Sequence, residues 1–269
     1  MTVKLCSLAS GSSGNCIYIS NNGTGFLVDA GISYKSIFQS LRNTGICTST
    51  IKALLITHEH SDHIKSAGVV SRKLNIPIYA NENTWEAMDS SLGNVKAENI
   101  RIFETGSEIE IENVIIKSFN IPHDAIEPVG FSFQMGEIKI GFATDLGYFS
   151  NEAKENLKGS DFVFLESNHD VEMLKAGSYP YFLKRRILGE NGHLSNEAAG
   201  YAACELVDSG ISKIMLGHLS KENNFPELAY ETVKSIMNEK GIKIGQDVDL
   251  NLAPGSTISK VFMWDNCII

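Results

Sequence analysis

The sequence predicts an α/β chain built on two mixed β-sheets flanked by helices, and three observations predict it. Short apolar runs separated by Gly, Asn and Ser turns fill the first thirty residues. The middle, from Ile100 to Ala143, is strand-rich, and the last third alternates helix and strand patterns. At 269 residues, with 43% apolar and 20% charged residues, the chain is long enough to bury this as a single domain spanning 1–269. It carries no repeat, low-complexity segment or linker.

The elements follow in order. Val3 to Leu8 reads as extended, Ala9 to Asn15 as a turn, and Cys16 to Ser20 as the returning strand of a hairpin. A second turn at Asn21-Asn22-Gly23 leads to strand Phe26-Leu27-Val28, which ends in Asp29-Ala30-Gly31. A helix is expected at Tyr34 to Arg42, a strand at Ala53 to Ile56 and a helix after Asp62. In the middle, strands are expected at Glu108 to Ile111, Val114 to Phe119, Gly130 to Met135 and Ile138 to Ala143. Phe162 to Leu165 reads as a buried strand. Ala199, Ala202, Ala203, Leu206 and Val207 form the one-sided stripe of a helix, capped by Ser195 or Asn196 and stopped by Gly210. Ile214 to Leu216 and Ile258 to Trp264 complete the strands.

Composition narrows the function classes. The net charge of −9 argues against a broadly basic nucleic-acid-binding surface, although bound metal ions add local charge that this count omits. Apolar runs such as Ala53-Leu54-Leu55-Ile56 are too short to cross a bilayer, and Met1 to Cys6 lacks the apolar region of a signal peptide, so a cytoplasmic protein without a membrane association is expected. Five scattered cysteines (Cys6, Cys16, Cys47, Cys204, Cys267), with no C-x-x-C pair, read as reduced thiols, mostly buried. No obligatory protein partner is evident.

The chemistry concentrates in Thr57-His58-Glu59-His60-Ser61-Asp62-His63. The chain holds seven histidines, and three of them fall with Asp62 inside six residues. Alternate residues of an extended segment face one side, so His58, His60 and Asp62 converge if the segment after the strand stays extended. On a helix, residues two apart would point about 200° from one another. The helical H-E-x-x-H pattern also fails, because Asp62 stands where its second histidine belongs. Imidazole plus carboxylate suits zinc, manganese or iron better than magnesium or calcium.

This H-x-H-x-D-H string resembles the metallo-β-lactamase superfamily, whose fold is a four-layer αββα sandwich. The resemblance continues with Asp29 at an early strand end, His123 in Ile121-Pro122-His123-Asp124-Ala125, Asp145 in Ala143-Thr144-Asp145 and His218 in Leu216-Gly217-His218. It implies two divalent metal ions. His58, His60 and His123 would bind one ion; Asp62, His63 and His218 would bind the other, with Asp145 bridging and Asp29 holding the histidine loop by hydrogen bonds. Such a pair, about 3.5–4 Å apart, holds a hydroxide that attacks phosphorus or an acyl carbon. After Asp62, Asp145 and hydroxide are counted, the centre keeps a charge of about +1, which attracts an anionic phosphodiester.

A departing alkoxide needs a proton from a general acid. Glu166, after the strand Phe162 to Leu165, and His193, in Gly192-His193-Leu194-Ser195-Asn196, stand in an order that resembles the ribonuclease Z type of nuclease. By that likeness Glu166 orients His193, which protonates the leaving oxygen; with Asp62 they make the expected catalytic set. Ser10-Gly11-Ser12-Ser13-Gly14-Asn15, Glu166-Ser167-Asn168-His169-Asp170 and Gly192 to Asn196 together look like the YycJ (WalJ, VicX) family, from about Lys4 to Phe262. That family resemblance implies a 5′-to-3′ exonuclease on double-stranded DNA, and the absence of a long inserted segment between the strand motifs argues against the larger β-CASP nucleases.

Lesser features keep two meanings. The loop with Ser12, Ser13 and Asn15 suits close approach to a phosphate backbone, or is a plain turn. Lys184-Arg185-Arg186, after Tyr179-Pro180-Tyr181-Phe182, suits phosphate neutralisation beside stacking aromatics, or is a solvated helix face. Asn168, His169 and Ser195 are further candidates for lining the substrate site. Three rivals remain: a small-molecule thioester, lactone or lactam hydrolase of the same fold, which needs no general acid; an RNA-processing nuclease; and a non-hydrolytic iron redox or regulatory module.

Overall fold

A computed structural model describes Thr2 to Asp265. The chain divides into two compact units, one of Met1–Ile116, Ala125–Glu127 and Pro254–Ile269, the other of Lys117–Asp124 and Pro128–Ala253. Elements are numbered along the chain.

In the first unit, β1 (Thr2–Ala9), β2 (Cys16–Asn21), β3 (Thr24–Val28), β4 (Ile51–Leu55), β5 (Ile78–Asn81), β6 (Ile100–Phe103) and β14 (Phe262–Asp265) form a sheet of order β14-β1-β2-β3-β4-β5-β6. The pairs from β14 to β3 are antiparallel and those from β3 to β6 parallel. Helices α1 (Tyr34–Asn43), α3 (Ala67–Leu74) and α4 (Glu82–Leu92) supply their apolar faces to the core, α1 through Ile37 and Leu41. Each such side chain contributes roughly 1.5–3 kcal/mol by burial. A short helix, α2 (Ser61–Ile64), follows β4.

The second sheet has the order β13-β12-β11-β10-β9-β8-β7, with β7 (Glu108–Ile111), β8 (Val114–Asn120), β9 (Val129–Met135), β10 (Ile138–Ala143), β11 (Phe162–Glu166), β12 (Lys213–Gly217) and β13 (Asp249–Leu252). Strands β10 to β13 run parallel. The central strand β11 is continuously apolar from Phe162 to Leu165 because both of its faces are covered, and these residues are wholly buried, whereas the edge strand β13 alternates polar and apolar residues. In the second unit α5 (Asn151–Leu157), α8 (Asn196–Asp208) and α9 (Pro226–Glu239) pack onto one core with Val163, Leu165 and Leu216. Helices α6 (Val171–Ala176) and α7 (Tyr181–Ile187) lie between β11 and α8 in the chain. The Ser195 hydroxyl caps α8 by accepting from the Ala198 amide, leaving Asn196 as its first residue.

Two expected boundaries are corrected. The last strand is Phe262–Asp265, not Ile258 to Trp264, because the Ser259 hydroxyl takes the Ser7 amide at 2.9 Å where a ladder carbonyl would stand. The segment from His58 to Asp62 is not one extended run: the backbone bends at Glu59 and Ser61 starts α2, so Asp62 and His63 share a helical turn. Cys6, Cys16 and Cys204 are buried as expected, Cys47 is exposed and Cys267 lies outside the described residues. Among the described residues no helix is long and apolar enough to cross a membrane.

Candidate functional site

The two sets of candidate ligands arise at strand ends, where an open α/β sheet presents its loops. In the first unit β3 ends at Val28 and the backbone turns through Asp29 with φ +61°, a conformation that Asp, Asn and His adopt more readily than other non-glycine residues. The turn aims the Asp29 carboxylate at the neighbouring loop. One oxygen accepts from the Thr57 amide at 2.9 Å; the other accepts from the Thr57 hydroxyl at 2.9 Å and from His63 Nδ1 at 2.7 Å.

The Thr57 oxygen also lies 3.0 Å from His58 Nδ1. Both rings therefore carry their proton on Nδ1, which leaves Nε2 as the lone-pair nitrogen. His58 Nε2 stands 3.1 Å from His60 Nδ1. Two imidazoles on one tetrahedral zinc place their nitrogens about 3.3 Å apart. Asp62 Oδ2 lies 3.5 Å from His63 Nε2, and the Asn15 amide nitrogen lies 3.3 Å from that oxygen and 3.0 Å from the ring nitrogen.

The Ser/Gly loop grips this turn by its backbone. Asn15 N donates to the Asp62 carbonyl at 2.8 Å, Gly31 N to the Asn15 carbonyl at 2.8 Å, and Ala30 N to the His63 carbonyl at 2.7 Å. A Cβ on Gly31 would overlap the Asp62 carbonyl oxygen, so glycine is required there by close approach. Ser12 and Ser13, at the tip of the loop, are exposed.

In the second unit Asp145 follows β10 with φ +61° and His218 follows β12 with φ +55°. Asp145 Oδ1 lies 3.0 Å from His218 Nδ1 and 3.8 Å from His123 Nε2. His123 Nδ1 donates to the Gly192 carbonyl at 3.1 Å, which again sets Nε2 as the lone-pair nitrogen. Burial pushes the His123 pKa down despite Asp145, so the ring stays in the neutral form that metals bind.

Glu166, the last residue of β11, is fully buried. Its Oε2 accepts from the Leu146 and Leu194 amides at 2.7 and 3.2 Å, while Oε1 faces His193 Nδ1 at 2.7 Å and His218 Nδ1 at 3.0 Å. Burial alone would raise its pKa, yet the His193 charge and hydrogen bond, with that of His218, hold the carboxyl at about 2. Burial disfavours the charged His193 ring too, but Glu166 wins and raises its pKa. Ligand atoms of Asp145, Glu166, His193 and His218 lie within 4.8 Å of one another.

The other predicted residues divide by what they touch. The Asn168 amide donates to the His218 carbonyl at 2.9 Å, and the Ser195 hydroxyl caps α8. His169 is 1% exposed, and among the described residues neither ring nitrogen has a hydrogen-bond partner. Lys184 Nζ donates to the Lys175 and Gly177 carbonyls, both at 2.7 Å, whereas Arg185 is exposed above the Tyr181 ring. Thr57, Gly31 and Asp124 escape the sequence reading; Asp124 Oδ1 is 3.4 Å from His123 Nε2 and its carboxylate is paired with Arg186. The signal available for Asp124 is only its adjacency to His123.

The residues fit divalent metal ions. Neutral imidazoles with Nδ1 engaged by carboxylate, hydroxyl or carbonyl, beside buried carboxylates, are the donor set that zinc and manganese take.

Comparison with known proteins agrees with this chemistry. Residues 24–218 match the family model of the beta-lactamase superfamily domain. The chain is 40% identical over 244 residues to a Bacillus anthracis protein named exodeoxyribonuclease YycJ, covering 91% of this chain and 92% of that one. It is 42% identical over 246 residues to exodeoxyribonuclease WalJ of Streptococcus pneumoniae, covering 91% of each. The solved metallo-β-lactamase-fold protein YhfI of Bacillus subtilis superposes with a TM-score of 0.74 at 15% identity, over 98% of this chain and 100% of that one. With that fold, and with this identity along nine-tenths of its length, the chain belongs to the beta-lactamase superfamily and, within it, to the YycJ/WalJ family.

Proposed function

We propose that this protein is a dinuclear metal-dependent phosphodiesterase, acting in the cytoplasm as a 5′-to-3′ exonuclease on double-stranded DNA. The observation that carries this reading is the His193–Glu166 pair, at 2.7 Å. Hydrolysis of an acyl or lactam bond by this fold needs no such acid, whereas a deoxyribose oxygen leaving phosphorus needs a proton. The relatives named as exodeoxyribonucleases support DNA as the polymer.

In this reading His58, His60 and His123 would hold one ion, Asp62, His63 and His218 would hold the other, and Asp145 would serve both; zinc and manganese fit these donors, with iron as an alternative. When bound, the ions supply Lewis-acid polarisation of the phosphate and a nucleophile at neutral pH. Asp29 keeps the proton of His63 on Nδ1. Glu166, anchored by two backbone amides, keeps a proton on His193 Nδ1, so that Nε2–H is directed to the leaving oxygen. Asn168 and Asn15 position the His218 and Asp62 backbones through their amides, and Ser195 holds the start of α8 beside the acid. His169, neutral because burial pushes its pKa down to about 4, backs the substrate site from beneath, its carbonyl taking the Asn196 amide at 2.8 Å at the end of the acid's loop. Ser12 and Ser13 contact the phosphate backbone from their exposed loop tip.

The test is digestion of end-labelled single- and double-stranded DNA and RNA by protein loaded with zinc or manganese. Stepwise release of nucleotides from the 5′ end of duplex DNA is expected. Failure of metal-replete protein to cut any nucleic acid, with turnover of a thioester or lactone instead, overturns the reading.

A further inference from the structure

Helix α7 carries two large rings to solvent side by side: Tyr181 is 76% and Phe182 73% exposed. Single exposed apolar residues are ordinary on a protein surface, but two adjacent aromatics at this exposure have a use or a liability. The helix also bears three basic residues, and the structure separates their roles. Lys184 is spent on two backbone carbonyls, and Arg186 is paired with Asp124. Arg185 stands in solvent with its guanidinium carbon 6.0 Å from the centre of the Tyr181 ring.

This helix is tied to the loop of the proposed acid. His193 N donates to the Ile187 carbonyl at 3.0 Å and Gly192 N to the Gly189 carbonyl at 2.9 Å. A Cβ on Gly192 would overlap the Ile187 carbonyl oxygen, so the loop lies directly against the end of α7. The Gly192 carbonyl in turn receives His123 Nδ1. Rings and a cation are thus held on the segment that positions the proton donor.

We propose that Tyr181, Phe182 and Arg185 form a stacking platform for unpaired nucleotides next to the phosphate being cut; the proposal rests on the nuclease reading above. Base faces inside a duplex are covered by their neighbours, so protruding rings can accept only terminal or unstacked bases. On a chain of net charge −9, a polyanion needs a local cation to approach, and Arg185 supplies it beside the rings. The occupant is a frayed or single-stranded DNA end.

The test uses the full chain loaded with zinc or manganese and the double variant Tyr181→Ala/Phe182→Ala; both positions are exposed, so the fold is not at stake. KM for a DNA with an unpaired end should rise at least about 5-fold per ring removed, with kcat at saturation retained. The same substitution at Tyr201, an exposed aromatic on α8, should leave KM as it is. A terminal 2-aminopurine should lose its binding-induced quenching in the double variant, and aromatic replacements (Tyr181→Phe, Phe182→Tyr) should restore it. Unchanged KM and unchanged quenching overturn the platform, as does a dimer that becomes monomer in the variant while DNA binding stays the same. If the wild type binds the 2-aminopurine oligonucleotide through these rings but cuts no nucleic acid, the nuclease reading fails and the platform stands.

Discussion

His63 Nδ1 lies 2.7 Å from the Asp29 carboxylate, whose same oxygen also takes the Thr57 hydroxyl. The carboxylate thus receives three donors on two oxygens, and two of them fix the loop that carries His58, His60 and His63.

Replacing Asp29 with Asn exchanges one acceptor oxygen for a donor, so at least one of those three groups meets an N–H. The expected result is a fall in metal affinity of about 10- to 100-fold, with folded protein retained. A competition titration against a zinc chelator measures it, and wild-type affinity in the variant would show that Asp29 does not orient the metal-binding rings.

For the acid pair, His193→Ala should lower DNA turnover about 10²- to 10⁴-fold while metal content is unchanged. Glu166 raises the His193 pKa, so the protonated acid persists to higher pH and is lost as pH rises through that raised value. Glu166→Gln removes the stabilising charge and should move the alkaline limb of the pH–rate profile toward lower pH. A limb that stays in place would assign that ionisation to another group.

His169 offers a test in which stability and activity part company. A buried imidazole without partners costs about 1–3 kcal/mol relative to a satisfied or apolar one. His169→Leu should therefore raise the melting temperature by roughly 2–12 °C, at about 2–4 °C per kcal/mol for this chain length, while DNA turnover falls. A stabilised variant with full turnover would make His169 a packing residue.

The cysteines should react in a set order. Burial pushes Cys6 up to about 12 and Cys16 well above its ordinary value, whereas the Ser49 hydroxyl, 3.0 Å from the exposed Cys47 sulfur, lowers the Cys47 pKa. At pH 8 iodoacetamide should label Cys47 well before Cys6 or Cys16, and Ser49→Ala should slow it. Peptide mass spectrometry reads both.

Most strands were legible because their apolar runs are bounded by turn residues: Glu108–Ile111 and Ile138–Ala143 match the expectation residue for residue. The region from Ile78 to Leu92 was not, since β5 has four residues and its helix starts with no intervening turn. Helix α9 carried a readable signal, Pro226 at its first position and a stripe through Ala229, Val233 and Ile236, that the sequence reading leaves unassigned. At the site, the residue types near His58 were plain from spacing. What spacing does not reveal is contact across the chain: Gly31 beneath Asp62, and the Ser/Gly loop gripping the turn by its backbone rather than only facing solvent. Asp62 left the extended register because Ser61 begins a helical turn, a local choice that period-two reasoning does not see.

Asp29, Asp145 and His218 share one backbone conformation, each just past the end of a strand. Aspartate, asparagine and histidine are the side chains that tolerate it best, so the turns and the chemistry draw on the same short list of residues. Asparagine is therefore the replacement that deletes charge or ligand while leaving each turn intact. A chain carrying it at Asp145 and His218 should be an inert but correctly shaped receptor, able to hold a DNA end for crystallisation without consuming it.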